Sequence, residues 1–248
     1  MNTPRLRMFA GPNGSGKSTL KSVLPKELVG IYLNPDEIED QIRRESFLDL
    51  ANYGLAPASE EALSFFTEST FLKDAGMATQ AQGISFTQGR ISFANVKINS
   101  YLASVAADFL RQQLLKRSVS FTLETVMSHP GKVDLLKQAQ ERGFRTYLYF
   151  IATDDPAINI SRVRSRVAQG GHPVPEDRIV SRYFRSLALL TEAIRFTHRA
   201  YVFDNSTDSL DHTWLAEITD GKVLELKSDR IPSWFRRSLL EKLARRST

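Results

Sequence analysis

The stretch that decides the fold is Gly11-Pro-Asn-Gly-Ser-Gly-Lys-Ser-Thr19, near the start of a chain of 248 residues. It matches Gly-x-x-x-x-Gly-Lys-Ser, the pattern of a Walker A phosphate-binding loop. A short apolar segment, Arg5-Leu-Arg-Met-Phe-Ala10, precedes the loop and predicts a strand, and the residues after the loop predict a helix. Strand, glycine-rich loop and helix in this order are the context that the motif requires. The sequence therefore predicts a P-loop that binds a nucleoside triphosphate.

The residues of the P-loop have separate chemical tasks. Glycines let successive backbone N–H groups curve around phosphate oxygens, and the helix that follows adds a partial positive charge at its N-terminus. Lys17 is expected to reach the β- and γ-phosphates, and the Ser18 hydroxyl is expected to bind the metal, Mg²⁺. The predicted cofactors are ATP and Mg²⁺. The predicted cofactor-binding residues are Gly11, Asn13, Gly14, Ser15, Gly16, Lys17, Ser18, Thr19 and, from a later loop, Asn205.

Short apolar segments alternate with helical patterns through the rest of the chain, which is typical of a parallel sheet covered by helices. Further strands are predicted over residues 31–33, 119–123, 146–152 and 200–203. Helices are predicted over residues 17–28, 35–47, 99–116, 132–142, 156–169 and 175–196. Asp220-Gly221 predicts a β-hairpin. The predicted fold class is α/β: a doubly wound parallel sheet of the P-loop kinase type, with a helical arginine lid and a C-terminal β-hairpin plus helix.

The domain prediction is a single P-loop kinase-like domain over residues 1–248. Residues 48–107 are poor in charge and rich in Gly, Ser, Thr, Gln and Phe, and we interpret them as an elaboration on the acceptor side. The chain contains no cysteine, which excludes Cys-ligated zinc, iron–sulfur clusters and thiol catalysis, and argues against a disulfide-dependent secreted protein. No apolar run approaches the roughly 18 residues of a membrane span, and the N-terminus does not have the pattern of a signal peptide. We therefore expect a cytoplasmic protein with no membrane partner.

The net charge of +5 is concentrated in residues 227–248, which contain seven cations and two anions. A basic tail of this kind can contact nucleic acid or acidic lipid. The alternative is a solvated helix whose other face packs against the protein, through Ile231, Trp234, Phe235, Leu239, Leu240 and Leu243. The packing interpretation is the better supported of the two.

Several signatures of other P-loop classes are missing. The sequence has no Asn-Lys-x-Asp motif for reading guanine and no Leu-Ser-Gly-Gly-Gln motif, which argues against a GTPase and a transporter-type ATPase. No apolar run ends in the aspartate of a standard Walker B motif. The strand that could carry it, over residues 120–125, ends in Glu124. That carboxylate is expected at the carboxyl end of a strand, where open α/β sheets bind ligands.

Residues 161–185 are predicted to form the lid, and we call them the lid segment. They contain six arginines: Arg162, Arg164, Arg166, Arg178, Arg182 and Arg185. The spacing places Arg162 and Arg166 on one face of a helix, and Gly170-Gly171 supplies a hinge before the next helix. Planar guanidinium groups can meet the negative charge of a transferring phosphoryl group. We predict that at least two of the arginines act there, whereas Arg164 and Arg178 are expected to be solvated.

Two blocks of the sequence resemble the zeta-toxin-like P-loop kinases. The first is residues 5–39, with the P-loop and Asn34-Pro-Asp-Glu-Ile38. The second is residues 119–206, with Phe121-Thr-Leu-Glu-Thr-Val-Met-Ser128, Gly170-Gly-His-Pro-Val174 and Asp204-Asn-Ser206. Residues 48–107 differ from the sugar-binding part of the toxins. The resemblance implies a kinase-like fold that binds ATP and Mg²⁺ and phosphorylates the 3′-hydroxyl of UDP-N-acetylglucosamine.

The resemblance also implies roles for individual residues. Asp36 matches the base that acts on the acceptor hydroxyl, and Glu124 matches the residue that contacts the acceptor or orders the waters of the metal. The predicted catalytic residues are Asp36, Lys17, Arg162, Arg166 and Arg182, and the predicted substrate-binding residues are Asp36 and Glu124.

Three sites have an alternative structural interpretation. Asp36 follows a strand at the start of a helix, where a carboxylate can accept a hydroxyl proton or can simply stabilise the helix dipole. His172 either contacts phosphate or belongs to the turn of the lid. The loop Asp204-Asn-Ser206 either borders the adenine base or forms an Asx turn.

The predicted function is an ATP-dependent phosphotransferase, a P-loop kinase acting on a hydroxyl of a small molecule, for example a nucleotide sugar such as UDP-N-acetylglucosamine. A polynucleotide-end kinase is the first alternative, with the basic tail holding phosphates. A non-catalytic, toxin-like ATP-binding module is the second. The predicted partners are a small-molecule acceptor and an antitoxin protein, and nucleic acid is the less favoured partner.

Overall fold

The computed structural model describes residues 3–22, 24–56, 59–207 and 212–245. Its contacts divide the chain into two compact units. The first consists of Met1–Gly30 together with Ser120–Thr248, and the second consists of Ile31–Val119. The interpretation of the whole chain as a single domain stays a prediction.

In chain order, the elements are β1 (Arg5–Ala10), α1 (Lys17–Ser22), α2 (Lys26–Val29), β2 (Ile31–Leu33), α3 (Pro35–Glu45), β3 (Phe47–Asp49), a 3₁₀ turn (Leu50–Tyr53), α4 (Ser59–Thr67), α5 (Thr70–Asp74), α6 (Ala78–Gln82), β4 (Ser85–Thr87), β5 (Arg90–Ser92), α7 (Ser100–Lys116), β6 (Phe121–Thr125), α8 (Gly131–Glu141), β7 (Arg145–Ala152), α9 (Pro156–Ala168), α10 (Glu176–Arg195), β8 (Arg199–Asp204), β9 (Thr213–Thr219), β10 (Val223–Leu226), α11 (Ser233–Phe235), a π-helical turn (Arg236–Leu240) and α12 (Glu241–Ala244).

One sheet organises the first unit, whose strands follow the order β10–β9–β8–β7–β1–β6. The strands β6, β1, β7 and β8 are parallel, and β9 and β10 add an antiparallel hairpin. The predicted α/β class with a parallel sheet and a C-terminal hairpin plus helix is confirmed. Ala10 at the end of β1 pairs with Thr125 and with Phe150. The P-loop therefore starts level with the carboxyl ends of β6 and β7.

The strand β1 lies in the interior of this sheet, with Leu6, Met8 and Ala10 on one face and Arg7 and Phe9 on the other. Every residue of β1 after Arg5 is buried. On one face Phe9 and Ile151 pack against Leu20 of α1, which attaches that short helix to the sheet. The Phe9 ring stacks on Tyr149 with centroids 4.8 Å apart, and burial raises the pKa of Tyr149 to about 12. This core fixes both ends of the P-loop.

The helix predicted over residues 17–28 is instead two helices, α1 and α2. Pro25 separates them. Proline lacks the N–H that a continuous helix needs, and it disfavours helical backbone at the residue before it. The chain therefore turns before α2 begins.

The C-terminal hairpin forms where Asp220-Gly221 predicts it. Both residues have the left-handed backbone conformation, with φ of 50° and 64°. Beyond the hairpin, Trp234, Phe235 and Leu239 are buried while Arg236 and Arg237 are exposed, as the packing interpretation of the basic tail predicts. Residues 246–248 of that tail lie outside the described residues. Within the described ranges, no helix is long and apolar enough to cross a membrane.

The second unit is built around two helices that begin at asparagine caps. The Asn34 side chain accepts a hydrogen bond from the Asp36 N–H at 3.0 Å, and Pro35 occupies the first helical position of α3. Asn99 caps α7 in the same way, through the N–H groups of Tyr101 and Leu102. Helix α3 packs against α7. The predicted helices at 35–47 and 99–116 are therefore both present, with α3 ending at Glu45.

Residues 48–107 contain more regular structure than their sequence indicates. The strands β3, β5 and β4 form a small antiparallel sheet, accompanied by α4, α5 and α6. Phe66 and Phe93 of this segment are buried, and the Phe66 ring contacts both Phe93 and the buried Phe109 of α7. Phe71 is the exception, because it is exposed beside Tyr101. Much of the phenylalanine content of this segment therefore serves the core of the second unit.

Candidate functional site

The P-loop connects β1 to α1 and takes its shape from three glycines. Gly11, Gly14 and Gly16 have φ of 146°, 74° and 96°, a range that side chains rarely adopt. A Cβ at Gly14 would lie 2.7 Å from the Asn159 carbonyl oxygen. A Cβ at Gly16 would collide with the side-chain nitrogen of Asn205. The loop is therefore both left-handed at these positions and closely covered by its neighbours.

Lys17 begins α1 and turns its ammonium group back over the loop. Its Nζ donates to the carbonyl oxygens of Gly11 at 3.0 Å and Pro12 at 2.9 Å. The residue is only 8% exposed. A buried ammonium is costly unless its hydrogen bonds are satisfied, so these carbonyl oxygens hold positive charge at the loop.

Side chains from outside the loop hold the carbonyl groups of the loop. Asn159 Nδ2 donates to Asn13 O at 2.6 Å, and Asn205 Nδ2 donates to Ser15 O at 2.9 Å. His212 Nε2 lies 3.2 Å from Gly16 O. The sequence predicts that Asn205 contacts the nucleotide. The structure places its side chain on the loop backbone, and a contact with adenine stays a prediction.

Two buried polar atoms of the loop have no hydrogen-bond partner among the described residues: Asn13 Oδ1 and Ser15 Oγ. An unpaired buried polar group is costly, and such groups in a folded protein are often completed by a ligand. The Ser15 hydroxyl can donate to an oxygen of an anion. The unpaired Ser15 hydroxyl therefore fits a bound phosphate, whereas Asn13 Oδ1 is an acceptor and does not.

Ser18 and Glu124 form the side of the site that could hold a metal ion. Ser18 Oγ donates to the Glu124 carboxylate, with distances of 3.4 and 3.3 Å to its two oxygens. Hydroxyl and carboxylate oxygens suit Mg²⁺, which usually keeps waters and takes one or two protein ligands beside substrate phosphates. The described residues contain no group of three or more His, Cys, Asp or Glu that could hold a metal alone. The pair therefore fits a magnesium ion that is shared with a triphosphate.

Arg162 is the lid arginine that the structure brings to the P-loop. Its guanidinium donates to Asn205 O at 2.7 Å and to Thr207 O at 3.0 Å. Asn205 in turn bonds to the P-loop at Ser15. Arg162 is thus separated from the loop by one residue.

Other arginines of the lid segment bond within that segment. Arg166 donates to His172 O at 3.1 Å, and Arg164 forms an exposed ion pair with Glu176. Arg182 is half-buried on α10, and Arg178 is exposed. The expectation that Arg164 and Arg178 are solvated agrees with their exposure. The action of Arg162, Arg166 and Arg182 on a phosphate stays a prediction.

Asp36 lies in the second unit, in the first turn of α3. Its side chain is exposed, and its N–H bonds to the capping side chain of Asn34. A carboxylate in this position can accept a proton from a hydroxyl group. Its role as the base stays a prediction from the family resemblance.

Sequence reasoning missed the residues that support the loop. Asn159 and His212 belong to no recognisable sequence motif. One signal was available, because Asn159 lies four residues before buried Val163 on the inward side of α9. A carboxamide at a position where an amphipathic helix normally carries an apolar side chain indicates a specific hydrogen bond.

A sequence model of the Zeta toxin family matches residues 95–213. The chain is similar to the zeta toxins. The matched part begins just before α7, ends at the first residue of β9, and includes Glu124 and the whole lid segment. The predicted resemblance to the zeta-toxin-like family is therefore confirmed.

Individual relatives extend this comparison. An uncharacterized protein of Haemophilus influenzae is 26% identical over 175 residues, which are 71% of this chain and 89% of the relative. A chain in the crystal structure of AvrRxo1-ORF1 and -ORF2 with ATP has a TM-score of 0.55 at 15% identity. The match covers 97% of this chain. The same match covers 63% of the length of the solved chain. A chain of the PezAT toxin–antitoxin system of Streptococcus pneumoniae gives a TM-score of 0.49 at 13% identity, covering 99% of this chain and 86% of its own.

Proposed function

We propose that this zeta-toxin-like protein is an ATP-dependent phosphotransferase that acts on a hydroxyl group of a small molecule. The observation that carries the proposal is the P-loop itself. Its carbonyl groups are held on the outside by Asn159 and Asn205, Lys17 covers it, and two of its buried polar atoms lack partners among the described residues. Backbone N–H groups of such a loop remain for the oxygens of a phosphate chain.

The P-loop and α1 bind the triphosphate of ATP in this proposal. Ser15 Oγ donates to a phosphate oxygen, and Lys17 supplies the positive charge that phosphates require. Ser18 and Glu124 hold Mg²⁺ through their hydroxyl and carboxylate oxygens. The metal, when bound, neutralises charge on the phosphate oxygens during transfer.

Transfer joins the acceptor oxygen to the γ-phosphorus of ATP. The bond between that phosphorus and its bridging oxygen breaks, and ADP leaves with the electron pair. The proton of the acceptor hydroxyl passes to the carboxylate of Asp36, and general-base catalysis of this kind contributes about 10²–10⁴ in rate. Arg162, Arg166 and Arg182 of the lid segment meet the charge that spreads over the transferring group.

The proposed acceptor class is a nucleotide sugar such as UDP-N-acetylglucosamine, on the strength of the family resemblance. The solved structure with ATP contains two proteins, AvrRxo1-ORF1 and -ORF2. We include an antitoxin-like partner in the proposal for that reason.

The test is ADP release by the purified chain with Mg·ATP and a panel of nucleotide sugars. We expect one sugar to stimulate turnover and to gain a phosphate detectable by ³¹P NMR. Asp36→Asn should lower turnover by about 10²-fold or more, whereas Glu37→Gln in the same exposed helix turn should not. Turnover without any acceptor dependence, equal in wild type and Asp36→Asn, would contradict the kinase proposal.

Two further acceptor conditions separate the alternatives. Stimulation by an oligonucleotide with a free hydroxyl end, lost at high salt, would support a polynucleotide-end kinase. Binding of Mg·ATP with no turnover on any acceptor would support a non-catalytic ATP-binding module.

A further inference from the structure

A loop that binds an anion through its N–H groups must turn its carbonyl groups the other way. Those carbonyls face the protein, and a carbonyl that is shielded from water needs a donor. In this P-loop the donors come mainly from side chains. Lys17 serves Gly11 and Pro12, Asn159 serves Asn13, and Asn205 serves Ser15. His212 lies at Gly16, which also accepts from the Leu20 N–H at 3.1 Å.

Two side-chain carboxamides therefore donate hydrogen bonds to the loop residues on either side of Gly14, namely Asn13 and Ser15. Asn159 projects from α9, and Asn205 follows the end of β8. Their hydrogen bonds to the loop are 2.6 and 2.9 Å long. Both also pack against the loop backbone, because a Cβ at Gly14 would meet Asn159 and a Cβ at Gly16 would meet Asn205. The contacts leave little room for the loop to relax outward.

Asn159 is locked in one orientation by a second layer of hydrogen bonds. It is fully buried, and its Oδ1 accepts from Thr153 Oγ1. The Thr153 carbonyl accepts from the Tyr183 hydroxyl at 2.6 Å. Burial raises the pKa of Tyr183, so the hydroxyl remains a donor at neutral pH. Flipping the amide would set Oδ1 of Asn159 against the carbonyl oxygen of Asn13.

Asn205 is fixed through its own backbone. Its N–H donates to Ala152 O at 2.8 Å, and its carbonyl accepts from Arg162 at 2.7 Å. Arg162 therefore acts on the P-loop through Asn205, whereas Asn159 acts directly from the same helix. Helix α9 thus supports the loop in two ways, directly through Asn159 and indirectly through the bond from Arg162 to Asn205.

We propose that Asn159 and Asn205 are positioning residues that hold the P-loop in its phosphate-binding conformation, with Asn159 contributing the larger share. The larger share follows from the complete burial of the Asn159 side chain and from the Thr153 hydroxyl that fixes its orientation, because an amide that is already oriented loses little freedom in holding the loop. The inference rests on the proposed function in one respect, since the ligand is taken to be a polyphosphate. It adds that nucleotide affinity depends on side chains that hold the loop by its carbonyl groups.

The decisive variant is Asn159→Asp, which keeps the shape of the side chain and replaces the donor with an oxygen. We expect the dissociation constants for Mg·ATP and for inorganic tripolyphosphate, measured by calorimetry, to rise by about tenfold or more. Asn205→Asp should act in the same direction with a smaller rise. Asn95→Asp, at an exposed position of the second unit, is the matched control and should leave both constants unchanged.

A purely structural role is distinguished by two further readouts. The ¹⁵N amide resonances of Gly14 and Gly16 should move in Asn159→Asp while those of the second unit stay in place. Thr153→Val keeps Asn159 and removes only the bond that orients it, so it should weaken tripolyphosphate binding less than Asn159→Asp does. If Asn159→Asp does not fold, Thr153→Val and Asn205→Asp decide the matter by the same binding measurement.

The outcomes separate this inference from the proposed function. A folded Asn159→Asp that binds both probes like the wild type overturns the inference and leaves the kinase proposal intact. A wild type that binds Mg·ATP, with weakened binding in Asn159→Asp but no phosphate transfer to any acceptor, overturns the kinase proposal and supports the inference. A wild type that binds neither probe overturns both.

Discussion

The P-loop is held from outside by the side chains of Asn159 and Asn205, whereas Arg164 and Arg166 of the lid segment bond to atoms of their own segment. Asn159 and Asn205 each donate to a loop carbonyl, and Asn159 is completely buried. Arg166 reaches the backbone of His172, and Arg164 pairs with Glu176 at the surface. Surface ion pairs contribute little to stability, so the lid segment can exchange its contacts cheaply while the loop cannot.

This difference suits the two tasks that phosphate transfer requires. A loop that is fixed before the ligand arrives needs no reorganisation on binding. A segment whose arginines have replaceable partners can turn them toward a phosphate when one is present. Substitutions in the loop and in the lid segment test that division of tasks.

The largest effect is expected for Lys17→Ala, which removes the ammonium group from the P-loop. Turnover with Mg·ATP should fall by about 10³-fold, because a preorganised charge at the transferring phosphate is lost. Steady-state ADP release measures the effect, and Lys21→Ala in the same short helix is the control. A loss of less than about tenfold in turnover would show that phosphate transfer does not depend on this charge.

The next effect is expected for Gly16→Ala, which inserts a methyl group between the loop and Asn205. The left-handed backbone and the collision should together weaken Mg·ATP binding by about 10²-fold. Gly30→Ala is the matched control, because its φ of 57° is also left-handed but nothing lies within 4 Å of an added Cβ. That control should lose only about 1 kcal/mol of stability and bind Mg·ATP normally. Equal Mg·ATP affinity in both variants would contradict the inference that Asn205 packs closely against the loop at Gly16.

A smaller effect, confined to turnover, is expected for Arg166→Gln and Arg182→Gln. Each should lower kcat by about tenfold to 10²-fold, because the charge on the transferring group is met only during transfer. The dissociation constant for ADP should change little. Arg178→Gln is the control from the same segment. A loss of ADP affinity equal to the loss of kcat would show that these arginines hold the ground state instead.

The smallest effect is expected for Arg164→Gln, which breaks the exposed pair with Glu176. The free energy of unfolding should change by less than about 1 kcal/mol, and kcat should stay at the wild-type value. Thermal unfolding and ADP release check both statements. A strong loss of turnover would give Arg164 a role that its exposed position does not predict.

Much of the fold follows from local sequence patterns. The strand β1, the P-loop and the capped starts of α3 and α9 were predictable because each depends on residues close together in the chain. Residues 48–107 were not readable, since their strands and helices are short and most carry no periodic pattern. The break between α1 and α2 was missed although Pro25 marks it.

The candidate site divides in the same way. Glu124 was predictable as a polar residue at a strand end, but its pairing with Ser18 follows from β6 lying beside β1, which the sequence does not specify. Asn159 and Asn205 are 146 and 190 residues away from the loop residues they bond. No motif spans such distances.

The sequence by itself determined the chemistry at the loop, because glycines, a lysine and hydroxyl residues at fixed spacing leave one local conformation and one type of ligand. The tertiary structure alone decided what holds that loop in place. A backbone that turns its N–H groups inward must find donors for its carbonyl groups, and only the folding of α9 and the end of β8 against the loop brings Asn159 and Asn205 to them.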